Sequence, residues 1–185
     1  MVQQSSNHMS KLGDLKSLGS LELLRMHAAI LGALKEKQIL RTTNTPTGDY
    51  AEWLVARWME EVGRIDATGG GLVTNSHKGY DIIDREKMRY QVKGRRLTSQ
   101  NQSRELGVVR DLNDDNFDYL IAVVFEEDWD VKVAAQIPVE ILRSMSNPIK
   151  SRINGHKFCL SDKLLEAVGV TLITGGIRGV QCAFK

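Results

Sequence analysis

The chain has 185 residues, 42% of them apolar, and its 25 Lys and Arg against 23 Asp and Glu give a formal charge of +2. That length suits one domain with a real core plus an appendage, and is too short for two full domains. No apolar run approaches the ~20 residues that cross a bilayer, the polar start Met1 to Met9 lacks the apolar stretch of a secretory signal, and two cysteines make no disulfide framework; a soluble cytoplasmic protein without a membrane partner is expected.

Residues 1–11 are polar and aperiodic and read as a disordered or tag-like tail. Residues 12–46 form a helical extension. Within it, Ser20 can cap a helix from Leu21 to Lys37, rich in strong helix formers and ending in positive charge. A second helix is predicted from Thr47 to about Val62. Ala51, Leu54, Val55, Trp58, Met59 and Val62 follow the i, i+3, i+4 spacing of a face that lies on a sheet. Glu52 sits at the margin of that stripe, about 90° from its centre, where it can point along the sheet. Trp53 falls on the far side, so it calls for a cover, either the first helix or a second subunit.

Arg64 to Thr74 reads as a first strand, or as a loop at Gly69-Gly70-Gly71. The glycines are followed by no Gly-Lys-Ser or Gly-Lys-Thr, which disfavours ATP binding. Gly79 to Lys93 is predicted to be a β-hairpin. Alternation sends Tyr90 and Val92 to one face and Gln91 and Lys93 to the other, the latter two about 6 to 7 Å apart. Leu97 to Asn116 reads as a short helix, irregular packing or a mobile loop. Tyr119 to Phe125 is an apolar run of β-formers, with Val131 to Ile137 its partner across the acidic turn Glu126 to Asp130. Helices are predicted from Pro138 to Met145 and from Ser161 to Val168, while the last sixteen residues, punctuated by glycine, receive no assignment. This order describes an α/β (α+β) chain with a central mixed sheet and flanking helices: a core over 47–146 and a C-terminal extension over 147–185 packed on it. His156 and Cys159 are too few for a zinc site, and none is expected.

The small net charge hides a split. Arg85 to Arg110 holds eight Lys or Arg against two acids, and Asp111 to Asp130 holds eight acids and no base. The basic block begins inside the hairpin that carries Asp81, Gln91 and Lys93. Charge runs are usually solvated surface, but this position favours a polyanionic partner. Arg95, Arg96 and Arg104 are read as phosphate clamps, with Gln100, Asn101 and Gln102 as candidates for base edges.

Glu52 on a helix, Asp81 on the first hairpin strand and Gln91-Val92-Lys93 on the next together resemble the PD-(D/E)XK nuclease superfamily over roughly Thr47 to Met145. The glutamine and the Gly-Tyr-Asp lead-in are most similar to Mrr-type restriction endonucleases. The resemblance implies a restriction-endonuclease-like fold. It also implies that Asp81 binds Mg²⁺ or Mn²⁺ with Gln91 and the Val92 carbonyl, that Lys93 orients or deprotonates the attacking water, and that Glu52 joins the metal shell directly or through water. Two departures stand out: Tyr80 replaces a proline, and neutral Gln91 replaces a carboxylate. The second weakens the hold on a hard cation and favours one metal over two.

The chemistry is coherent without the family. Attack on a phosphodiester gathers negative charge on the phosphoryl oxygens and the departing alkoxide, which cations at fixed places stabilise. The leading expectation is a Mg²⁺-dependent DNA endonuclease of restriction or defence type, with a homodimer and a partner protein as the two alternative sources of target choice. The second reading is an inactive nuclease-like protein that binds nucleic acid. The third is a purely structural protein in which Asp81 and Lys93 form a surface ion pair.

Overall fold

The structure is a computed structural model that describes residues 15–66, 79–110, 112–145, 147–148 and 155–184. The tail at 1–11 and most of the strand or loop predicted over Arg64 to Thr74 lie outside the described residues. The chain divides into two compact units, Met1–Asn44 and Thr45–Lys185.

In the first unit, helix α1 spans Ser20–Glu36, within one residue of its predicted range. Its N-terminus differs in detail. Gly19 is the capping residue, and its N–H donates to Glu22 Oε2 at 2.9 Å, so Ser20 is the first helical residue. A carboxylate one turn in also complements the helix dipole.

The second unit is built on helix α2 (Pro46–Glu61), with proline in its first turn where no N–H partner is needed. It lies on a five-stranded sheet of order β1-β2-β4-β5-β8. The strands are β1 Ile82–Ile83, β2 Arg89–Arg96, β4 Tyr119–Phe125, β5 Val131–Pro138 and β8 Thr171–Leu172. The pairs are antiparallel except β2 with β4, which are parallel. The fold is therefore mixed α/β with helices flanking a mixed sheet, as expected. Helices α3 (Val139–Met145) and α4 (Asp162–Leu165) also fall where the sequence places them, α4 capped by the Ser161 side chain.

Alternation along the strands makes two cores. Tyr90, Val92, Ile121, Val123 and Phe125 pack with Ala51, Leu54, Val55 and Met59 of α2. Leu120, Ala122, Val124, Ala135 and Ile137 pack on the other face with Leu97, Leu106, Val109, Leu112 and Phe158. The polar stretch after the hairpin is thus no helix. It is an irregular segment anchored by four buried apolar side chains, with strand β3 (Val109–Arg110) pairing with β7 (Gly155–Lys157) and β7 with β6 (Asn147–Pro148).

The C-terminal sixteen residues hold two elements that sequence did not assign, strand β8 and helix α5 (Thr174–Ala183). Ile173, Ile177 and Val180 belong to the α2-side core. A Cβ at Gly176 would lie 2.4 Å from Trp58 Nε1. The glycine that obscures this helix in the sequence is what lets it approach α2. Trp53 also finds its cover here: its ring meets Phe184 edge-on at 4.9 Å and stacks on Tyr50 at 6.1 Å.

Arg89 ties the start of β2 to Asp118, with Nε to Oδ2 at 3.1 Å and Nη2 to Oδ1 at 2.9 Å. The guanidinium holds the Asp118 carboxyl below the usual carboxylate range, overcoming the opposing effect of burial. A carboxyl whose folded pKa lies below its unfolded value stabilises fully above the unfolded pKa, and that contribution is lost as pH falls through the folded one. Asp118→Asn is therefore expected to lower urea stability at neutral pH, with the gap to wild type closing in strong acid. A gap independent of pH would remove the ion pair as its cause.

Candidate functional site

The hairpin turn separates the roles of two nearby acids. Asp84 is buried in the turn, and its Oδ1 accepts from the Glu86 and Met88 N–H groups, both at 2.9 Å. Its Oδ2 accepts from the Tyr90 hydroxyl at 2.8 Å. Burial, with the Asp84 hydrogen bond adding to it, pushes the Tyr90 phenol up. Asp84 is thus consumed in building the turn.

Asp81 behaves differently. Its N–H donates to the Tyr90 carbonyl at 2.8 Å, although Ile82 is the residue opposite Tyr90. Its Oδ2 accepts from the Val92 N–H at 2.7 Å. The carboxylate thus stands at the β2 edge where a further backbone carbonyl of β1 would have stood, beside the peptide that joins Gln91 to Val92. A residue's N–H and C=O point to the same side of a strand. The Val92 carbonyl therefore faces this same edge.

Gln91 and Lys93 lie opposite Leu120 and Ala122 of β4, on the face away from α2. Gln91 is only 9% exposed, and its Oε1 is buried and accepts no hydrogen bond among the described residues. A buried amide oxygen without a donor costs free energy, on the order of 1 to 3 kcal/mol. Such atoms are met by an ordered water, a ligand or a cation. Lys93 is half-buried and makes no hydrogen bond or ion pair among the described residues.

Glu52 is 9% exposed on α2, against the opposite face of the sheet from Gln91 and Lys93. It has interactions within the chain, and it rides on α2, which packs closely on β2. What sets its height is Gly94, a residue that sequence reasoning passed over. A Cβ there would sit 2.5 Å from the Thr47 carbonyl oxygen and 2.9 Å from Ala51 Cβ. Glycine inside a strand is the sequence signal for such a close approach.

The basic block does not form one face. Arg95 follows Gln91 and Lys93 by alternation and donates through Nε to the Ser103 carbonyl at 3.1 Å. Arg96 points to the α2 side, donates to the Glu127 carbonyl at 2.9 Å through Nε, and stacks over Trp129 at 4.8 Å. Arg104 is paired with Asp162 at 2.9 Å. The acidic turn folds back beside this segment, where Glu127 Oε2 accepts from Ser99 N–H at 3.0 Å. Asn101 and Gln102 hold the local turn, through Ser103 N–H to Asn101 Oδ1 at 3.0 Å and Gln102 Nε2 to the Thr98 carbonyl at 2.7 Å. Gln100 is exposed at its tip.

Among the described residues, no group of three or more His, Cys, Asp or Glu side chains is placed to hold a metal. Along β2 and beside it the chain offers the Asp81 carboxylate, the Gln91 amide and the Val92 main-chain carbonyl, while Glu52 sits on α2 against the opposite face. Oxygen donors of this kind fit a hard cation such as Mg²⁺, which keeps several waters. No protein-family profile and no curated protein matches the chain. No helix among the described residues is long and apolar enough to cross a membrane.

Proposed function

We propose that the chain is a metal-dependent nuclease with a restriction-endonuclease-like core, hydrolysing DNA phosphodiester bonds at the β2 edge. The observation that carries this reading is the buried Gln91 Oε1, without a donor among the described residues, on the strand whose edge holds the Asp81 carboxylate. Asp81, Gln91, the Val92 carbonyl and Glu52 would hold Mg²⁺ or Mn²⁺. The bound ion would supply charge for the transition state and a more acidic water. Lys93, on the same face as Gln91, holds the water's oxygen or the phosphoryl oxygen by its ammonium.

Plasmid cleavage with Mg²⁺ or Mn²⁺, abolished by a chelator, tests this reading. Cleavage surviving both Asp81→Ala and Lys93→Ala would remove the site from the mechanism. Retained DNA binding without cleavage would favour the second reading, an inactive nuclease-like binder, which the missing carboxylate at position 91 supports.

Of the arginines, Arg95 shares the site face and has no acid partner among the described residues, which favours it for a backbone phosphate. Arg96 and Arg104 are better engaged within the chain. Arg95→Ala is expected to weaken DNA affinity and flatten its log–log salt dependence by about 0.9 per lost phosphate contact. Arg104→Ala should change that slope less. Equal slopes for Arg95→Ala and wild type would take Arg95 out of the interface.

A further inference from the structure

The Asp81 carboxylate stands where the sheet gives it little support. Strand β1 is only two residues long, and its pairing with β2 ends at Ile82. A ligand just outside so short a ladder needs a second hold, and Gly79 shows where it is. A Cβ at Gly79 would lie 2.3 Å from Asn116 Cβ and 3.0 Å from Asn116 Cγ. Its φ of +108° is a conformation that residues with a side chain rarely adopt. Both observations require glycine two residues before Asp81.

The support leads back to the strand that bears Gln91. Asn116 lies two residues before Asp118, whose N–H donates to the Arg89 carbonyl at 2.9 Å and whose Oδ2 accepts from the Arg89 N–H at 2.8 Å. Between the two holds, Tyr80 packs against the core that contains Leu120 and Ala122, on the face of β2 that carries Gln91 and Lys93. The segment Gly79–Asp81 thus runs from the root of β4 to the outer edge of β2, fixed by Asn116 at one end and by the Tyr90 carbonyl and Val92 N–H at the other. We propose that Gly79 and Asn116 are positioning residues for the metal centre, their close packing setting the Asp81 carboxylate against the Gln91–Val92 peptide before a cation arrives. A ligand held in place beforehand loses less freedom on binding. The proposal rests on the nuclease reading in one respect, that a divalent cation is what Asp81 holds.

Mn²⁺ titration calorimetry and amide hydrogen exchange on the full chain, without DNA, test it. Gly79→Ala is expected to weaken Mn²⁺ binding by about 10- to 100-fold, the range for residues that orient a metal ligand. It should also speed exchange of the Val92 N–H by about tenfold or more, the scale of one hydrogen bond to a charged group. The Gln91 and Lys93 N–H groups point to the opposite edge, toward β4, and should keep their protection. Adding Asn116→Gly removes the atoms that the new Cβ strikes, so the double variant should bind Mn²⁺ more tightly than Gly79→Ala alone. Asn116→Gly by itself introduces no clash, and it should loosen the Val92 N–H and weaken Mn²⁺ binding with the melting curve still cooperative. Gly107→Ala, where a Cβ meets nothing within 4 Å, should change neither quantity. Wild-type affinity and Val92 protection in Gly79→Ala or in Asn116→Gly would overturn the proposal, as would a double variant no better than Gly79→Ala. A wild-type chain that binds no Mn²⁺ would end the nuclease reading instead, and Val92 exchange alone would then decide whether Gly79 and Asn116 place Asp81.

Discussion

Lys93→Ala is expected to lower the rate of plasmid cleavage by about 10² to 10³, the scale for removing one donor to transition-state charge. The ammonium has no hydrogen bond or ion pair among the described residues. Its removal should therefore leave the melting temperature close to wild type, surface substitutions being usually within about 0.5 kcal/mol. DNA affinity should also hold, since one cation of several is lost. Asp81→Ala differs in kind. It removes the metal's anionic anchor and also leaves the Val92 N–H without its 2.7 Å acceptor, so both cleavage and stability should fall, the latter by about 1 to 3 kcal/mol. Rate measurements under metal saturation, with thermal unfolding alongside, separate the two. A Lys93→Ala enzyme that cuts at the wild-type rate would exclude the amine from the chemistry.

Gly94→Ala is expected to destabilise the fold by about 3 kcal/mol, the upper end of what overpacking a core costs. The added Cβ would meet the Thr47 carbonyl oxygen and Ala51 Cβ, one of them backbone and the other a short side chain at the root of α2. Neither can swing aside, so relief requires α2 to lift from β2. That lift would also displace Glu52, which rides on α2. Unfolding in urea should show a lower midpoint with little change in slope, and any residual cleavage should need more metal. Gly107→Ala is the control, because a Cβ there meets nothing within 4 Å. Equal stabilities of the two variants would show that α2 tolerates the displacement.

Much of the fold was legible before any coordinates. The i, i+3, i+4 stripe from Ala51 to Met59, the apolar run Tyr119 to Phe125 and the alternation over Val131 to Ile137 are local patterns, and each element formed within a residue or two of its expected range. The hairpin bearing Asp81 and Gln91-Val92-Lys93 was equally readable, since alternation alone places Gln91 and Lys93 on one face. Helix α5 was not. Its glycines depress local propensity, and the reason for Gly176 is Trp58, more than a hundred residues earlier in the chain. The irregular segment after β2 stayed ambiguous for the same cause: Leu97, Leu106 and Leu112 acquire meaning only against Phe158 and the β4–β5 face.

Charge shows the limit most plainly. Residue order alone sets a basic block against an acidic one and determines which amine stands two positions from which amide. Only tertiary structure brings the Glu127 backbone to Arg96 and Asp162 to Arg104, and directs the Val92 carbonyl to the edge that Asp81 occupies. Periodicity is a property of neighbours along the chain, whereas an ion pair or a donor set depends on distances between residues that sequence separation does not encode.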